Sequence, residues 1–271
     1  MCIIVAKKQG LDIPSKEILK SCNTWNNDGA GFMYVNNNNK IQIEKGFMDF
    51  ESFYNRLMEV DNEYNLKEKG LVMHFRITSV GVTTPENCHP FPISTKISDL
   101  KSLNMETSNV ATAHNGTITL YIEGTNKTLS DTQNFIKDFI YHIYKTNKTF
   151  YKDKYIMDMI AKVGGSRFCF LDKNEGIYHT GEGWIEDQGI LYSNSTYSWG
   201  GSSSYDNVYN LLYYAELEAF MEAVRDEYLM LDSSYTVEYS NGIQETYTDD
   251  EDFCLYYELG NVYLMEINKV D

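Results

Sequence analysis

The sequence predicts an α+β protein built from antiparallel sheets covered by helices. Apolar residues recur at strand spacing along much of the chain, and turn pairs typical of hairpins separate several of those runs. The helical stretches do not alternate strictly with the strands, as a doubly wound parallel sheet would require.

The first apolar run, Cys2 to Ala6, reads as a buried strand, and a helix follows from about Ser15 to Thr24. Asn27-Asp28-Gly29-Ala30-Gly31 is a turn-rich entry to a strand at Phe32 to Val35. Four asparagines, Asn36 to Asn39, turn the chain back into a strand carrying Ile41 and Ile43. Asp49 is placed to cap a helix with Phe50, Phe53, Tyr54 and Leu57 on its apolar side. Leu71 to Arg76 reads as a strand, and residues 82–109 as mostly irregular. Val110 to His114 and Thr117 to Ile122 read as two strands joined through Asn115-Gly116. Ser130-Asp131-Thr132-Gln133 has the capping-box pattern and precedes an apolar stripe. A further helix, about Lys152 to Val163, ends at Gly164-Gly165. Phe168 to Leu171, Gly176 to His179 and Ile190 to Tyr192 read as strands. A soft boundary near residue 205 divides a domain of residues 1–205 from an extension of residues 206–271. The extension reads as a helix from Asn207 to Met230 and two β-hairpins, Tyr235 to Tyr247 and Cys254 to Ile267.

Composition narrows the function classes. The chain has 271 residues, 42% of them apolar, enough for one large core. A formal net charge of −16 repels phosphates over most of the surface, which argues against direct nucleic-acid binding. The five cysteines, Cys2, Cys22, Cys88, Cys169 and Cys254, are odd in number and lack C-x-x-C spacing, so neither a disulfide framework nor a zinc site is expected. The five histidines show no metal-ligand spacing, and no metal or other cofactor is expected. The apolar run at residues 2–6 is short for a signal peptide, and no stretch is long enough to span a bilayer. The expectation is a cytoplasmic protein with no membrane association.

Four features carry chemistry. If Met1 is removed, Cys2 gains a free α-amine that titrates near neutrality, at roughly 7.7–8.0. Nucleophile and base then lie on one residue; otherwise Cys2 is a small buried hydrophobe. Asn115-Gly116 is either a simple turn or an oxyanion hole built from a side-chain amide and a backbone N–H. Arg76, in His74-Phe75-Arg76-Ile77-Thr78-Ser79-Val80-Gly81, ends a buried strand and needs an anionic partner, either an internal carboxylate or a bound one. Asp131 serves the helix end, or receives a substrate ammonium.

Together, Met1-Cys2, Asp28-Gly29-Ala30-Gly31, His74-Phe75-Arg76 with Gly81, His89-Pro90, His114-Asn115-Gly116 and Ser130-Asp131-Thr132 resemble, in order, the motifs of the class II (N-terminal-nucleophile, Ntn-hydrolase) glutamine amidotransferase family, across about the first 200 residues. The resemblance implies a four-layer αββα sandwich of two antiparallel sheets. It implies that Cys2 attacks the side-chain amide of glutamine, that Asn115 and Gly116 hold the oxyanion, that Arg76 with the Ser79 region holds the α-carboxylate, and that Asp131 holds the α-ammonium. Ile3 stands where that family usually carries Gly, and residues 77–80 read Ile-Thr-Ser-Val. No synthase domain follows, so a separate synthase or other acceptor-enzyme partner is implied for the ammonia. Stand-alone proteins of this look are familiar from bacteriophages, which would set the protein in a host cytoplasm. Two alternatives stay open: an Ntn hydrolase acting on another amide, and a catalytically impaired binding protein of the same fold.

Overall fold

The computed structural model describes residues 2–78, 82–122, 126 and 128–198, together with five strands between residues 231 and 269. The chain divides into two compact units, residues 1–200 and 201–271.

In the first unit the strands are β1 (Ile3–Lys7), β2 (Ala30–Val35), β3 (Ile41–Phe47), β4 (Leu71–Phe75), β5 (Phe91–Pro92), β6 (Asn104–Thr107), β7 (Val110–Asn115), β8 (Arg167–Asp172), β9 (Ile177–Thr180), β10 (Ile185–Asp187) and β11 (Ile190–Tyr192). The helices are α1 (Lys16–Thr24), α2 (Phe50–Tyr64), α3 (Ile97–Lys101), α4 (Asp131–Phe135), α5 (Tyr141–Thr146) and α6 (Lys154–Gly164). A single π-turn, Ile136–Ile140, runs between α4 and α5. The unit is therefore a mixed α+β structure with two antiparallel sheets. Seven strands form the larger, in the order β10-β11-β1-β4-β2-β3-β6, and four form the smaller, in the order β5-β7-β8-β9.

Local chemistry explains the helix limits. The Ser15 hydroxyl accepts the Ile18 N–H at the start of α1, and Asp49 accepts the Ser52 N–H at 2.8 Å to open α2. The capping box opens α4: Ser130 Oγ accepts from Gln133 N, and Gln133 Oε1 accepts from Ser130 N at 2.8 Å. Gly165, in the left-handed conformation, ends α6.

Three apolar clusters order the elements. Because successive residues of a strand face opposite sides, Ile3 and Val5 of β1 pack with Phe32, Met73 and Phe75 against α1 and α2. Val110, Phe168 and Phe170 of the smaller sheet pack against α4 and α6 through Phe135 and Ile160. The remaining faces meet each other: Ile4, Ala6, Met33 and Val72 of the larger sheet pack against Ala111, Ala113, Cys169 and Leu171 of the smaller. Fully buried side chains such as Phe53 each contribute about 1.5–3 kcal/mol through apolar transfer. The small residues on the meeting faces let the backbones approach closely. A Cβ at Gly31 would overlap the His89 carbonyl and come within 2.6 Å of Lys45 Cβ.

The structure departs from expectation after β7. Asn115 stays in the strand, paired with Arg167 of β8, so Asn115-Gly116 is not a hairpin turn. Thr119–Tyr121 forms a 3₁₀ turn rather than a strand. The cause is local: the Ile118 N–H is taken by Asp131 Oδ2 at 2.8 Å and is lost to any ladder. The stretch expected to be irregular also contains β5, α3 and β6, the last pairing with β3 through Ile43 and Met105. Among the described residues, no helix is long and apolar enough to cross a membrane.

In the second unit, β12 (Leu231–Glu238) pairs antiparallel with β13 (Gln244–Asp250), and β14 (Phe253–Glu258) with β15 (Asn261–Glu266). A short strand, β16 (Asn268–Lys269), lies along β12. The helix expected at residues 207–230 lies outside the described residues.

Candidate active site

The period of two that builds the meeting faces also assembles the polar residues. Cys2 continues the alternation of Ile4 and Ala6, Arg76 that of Val72 and His74, and Asn115 that of Ala111 and Ala113. The β1–β4 register pairs Ile3 with Phe75, so Cys2 and Arg76 follow side by side at the end of that ladder. Cys2 Sγ accepts from the Ile77 N–H and donates to the Ile77 carbonyl, both at 3.4 Å. Burial pushes the thiol above its ordinary range; the Ile77 hydrogen bond and the Arg76 charge oppose the rise, and Asp131 adds to it. The thiol therefore stays protonated near neutrality unless a base takes its proton.

Arg76 is 4% exposed and forms no carboxylate ion pair among the described residues. Among the described residues its Nη1 is buried without a hydrogen-bond partner, and Nη2 reaches the Val82 carbonyl at 3.5 Å. The backbone around it is held firmly: Arg76 N donates to the Gly29 carbonyl, and Asp28 N donates to the Arg76 carbonyl, each at 2.8 Å. Here the turn at Asp28-Gly29 has its purpose, since Asp28 Oδ2 also accepts the Thr78 N–H at 2.7 Å.

Asp131 stands at the first turn of α4. Oδ1 accepts the Thr132 N–H at 2.7 Å, and Oδ2 accepts from Ile118. Burial raises its pKa, opposed by these hydrogen bonds and by Arg76. It thus serves the helix end and also stands in the electrostatic field of Arg76 and Cys2.

Asn115 is fully buried, and its Nδ2 donates to Ser193 Oγ at 2.8 Å. Its Oδ1 has no partner among the described residues. Gly116 follows with φ +147°, a conformation that L side chains rarely adopt, and a Cβ there would overlap Ser166. The Ser166 hydroxyl donates to the Asn115 carbonyl and so braces this turn.

Three buried histidines flank these residues. The His74 ring donates from Nε2 to the His114 carbonyl at 3.0 Å, which leaves Nδ1 bare. His114 Nδ1 shares a hydrogen bond with Thr132 Oγ1 at 2.9 Å, and its Nε2 is bare. His89 lies 4.2 Å from His74 between ring centroids, with both its nitrogens unpartnered among the described residues. Burial pushes His74 and His114 down to about 3 and His89 well below its ordinary value, so all three are neutral. Among the described residues no group of His, Cys, Asp and Glu has the arrangement of a metal site.

Of the residues singled out from sequence, Cys2, Arg76, Asn115, Gly116 and Asp131 belong to one connected neighbourhood, while Ser79 lies outside the described residues. Sequence reasoning missed Ser193 and Asn194. Ser193 accepts the Ile4 N–H at 2.8 Å as well as the Asn115 amide, and Asn194 Nδ2 donates to the Cys2 carbonyl at 2.7 Å. Adjacent residues after β11 therefore hold both Cys2 and Asn115. Compared with known proteins, the chain matches no family model and no curated protein.

Proposed function

We propose that residues 1–205 form a four-layer αββα sandwich of the Ntn-hydrolase kind and that the site hydrolyses the side-chain amide of glutamine, with glutamate and ammonia as products. The observation that carries this reading is Arg76: a buried guanidinium whose Nη1 has no hydrogen-bond partner and which forms no carboxylate ion pair among the described residues is incomplete without a bound anion. An amino acid supplies that anion as its α-carboxylate, and Asp131 suits the α-ammonium.

In this reading removal of Met1 frees the α-amine of Cys2, which takes the thiol proton. The thiolate forms a C–S bond to the amide carbon, and the carbonyl electrons move to oxygen. The N–H groups of Asn115 and Gly116 hold that oxyanion. Collapse breaks the C–N bond, the α-ammonium returns its proton to the leaving nitrogen, and ammonia departs. Water then adds to the thioester, and glutamate leaves as the thiol regains its proton. The raised pKa of Cys2 supports the need for an adjacent base. A separate synthase or other acceptor enzyme would consume the ammonia, and no cofactor is required.

The test is release of glutamate and ammonia from glutamine by protein whose intact mass shows that it starts at Cys2, with Cys2→Ala alongside. Turnover in the former and a loss of at least about 10³-fold in the latter are expected. Equal rates in the two would refute the reading.

A further inference from the structure

The hydrogen bonds around Ser193 are saturated on one side and empty on the other. Ser193 Oγ accepts from Ile4 N and from Asn115 Nδ2, each at 2.8 Å. A hydroxyl has one proton to give as well as two lone pairs. Asn115 Oδ1, a strong acceptor on the same amide, is buried with no partner among the described residues. Both residues are fully buried, so water does not relieve the mismatch cheaply.

Turning the Asn115 amide by half a turn resolves it. Oδ1 then accepts the Ser193 hydroxyl proton, while Ser193 still accepts the Ile4 N–H. Nδ2 moves to the unpartnered position, and the orphan becomes a donor instead of an acceptor. An orphan acceptor repels a developing oxyanion, whereas an orphan donor binds it. Only one of the two amide orientations is therefore compatible with catalysis, and it is the one in which Ser193 donates.

We propose that Ser193 is a positioning residue. Its oxygen, fixed by the Ile4 N–H, selects the Asn115 orientation that turns an N–H to the position where Oδ1 is otherwise unpartnered. The arrangement joins the sheets: Ser193 follows β11 and is tied to β1 in the larger sheet, whereas Asn115 ends β7 in the smaller. Asn194, next in sequence, anchors the Cys2 carbonyl, so one short segment sets nucleophile and oxyanion donor in mutual register. This inference rests on the amide-hydrolase reading above.

The experiment is steady-state glutamine hydrolysis by wild type, Ser193→Ala, Asn115→Ala and the double variant, each verified to start at Cys2. Loss of an oxyanion donor in Asn115→Ala lowers kcat by about 10²–10³-fold. Ser193→Ala is expected to lower kcat by about 10–100-fold with KM within about threefold, because the amide loses its orientation and not its substrate contacts. In the Asn115→Ala background Ser193→Ala is expected to add less than about twofold, since both act through one group. If Ser193→Ala unfolds, Ser193→Cys keeps the volume with a weak donor and is expected to show the same loss. Ser193→Thr, which keeps the hydroxyl, is expected to recover most of the rate. Wild-type turnover with an unaffected Ser193→Ala, or losses that multiply in the double variant, overturns this inference alone. An inactive wild type overturns the amide-hydrolase reading and this inference together.

Discussion

The two sheets meet along one continuous pair of faces, yet the two ends of that contact differ. At one end Ile4, Ala6, Met33, Val72, Ala113 and Leu171 close on each other with no polar atom among their side chains. At the other, the same alternation delivers Cys2, His74, Arg76 and Asn115. Six of the eight buried side-chain nitrogens and oxygens left without a partner among the described residues belong to His74, Arg76, His89, His114 and Asn115. Unsatisfied buried polar atoms cost stability. Their concentration in one place, beside an apolar half, separates the part of the interface that holds the fold from the part that the proposed function assigns to a ligand.

Substitutions at the two ends should therefore behave oppositely. Replacing Arg76 by Leu is expected to lower kcat/KM for glutamine by about 10²-fold or more, mostly through KM, while stability is unchanged or higher because a buried unpaired charge is removed. Denaturant unfolding of the variant checks the second half: a loss of several kcal/mol would mean that Arg76 has an internal partner and that the polar end is structural. Replacing Leu171 by Ala, at the apolar end, is expected to cost about 2–5 kcal/mol with little change in KM. A stable Leu171→Ala variant with impaired turnover would erase the distinction.

A smaller effect comes from pH. Unfolded, His74 and His114 titrate near 6.5, but in the fold burial holds them near 3. Between those values the unfolded chain binds more protons. Stability is thus fully present above about pH 6.5 and falls as the pH drops toward 3, by about 1–2 kcal/mol per histidine on going from pH 7 to pH 5. Urea unfolding at the two pH values measures this, and His114→Gln should lessen the difference. An unchanged midpoint between pH 7 and pH 5 would mean that the rings gain protons without opening the interface.

Much of this architecture was legible from local patterns. The alternation in Cys2 to Ala6 and in Leu71 to Arg76, the turn at Asp28-Gly29 and the capping box at Ser130 are short-range signals, and each corresponds to a segment that carries a candidate site residue or, at Asp28-Gly29, braces the backbone of one. Ser193 and Asn194 were not legible. They follow a three-residue strand, and their partners Ile4 and Cys2 lie about 190 residues away in sequence, a pairing that no local periodicity encodes. The segment from Thr117 to Ile122 misled for a related reason. Its residues favour a strand, but a carboxylate 13 positions on captures the Ile118 N–H and bends the chain away. The structure also changes the meaning of Asn115-Gly116: the positive φ of Gly116 serves a brace against Ser166 rather than a hairpin.

The most direct measurement is covalent capture. Protein that starts at Cys2 is incubated with a diazomethyl-ketone analogue of glutamine, and the adduct is located by peptide mass spectrometry. The account predicts a single adduct on Cys2, protected by excess glutamine and greatly slowed in Arg76→Leu. An adduct on Cys88 instead, or a Cys2 adduct that glutamine does not prevent, would contradict it.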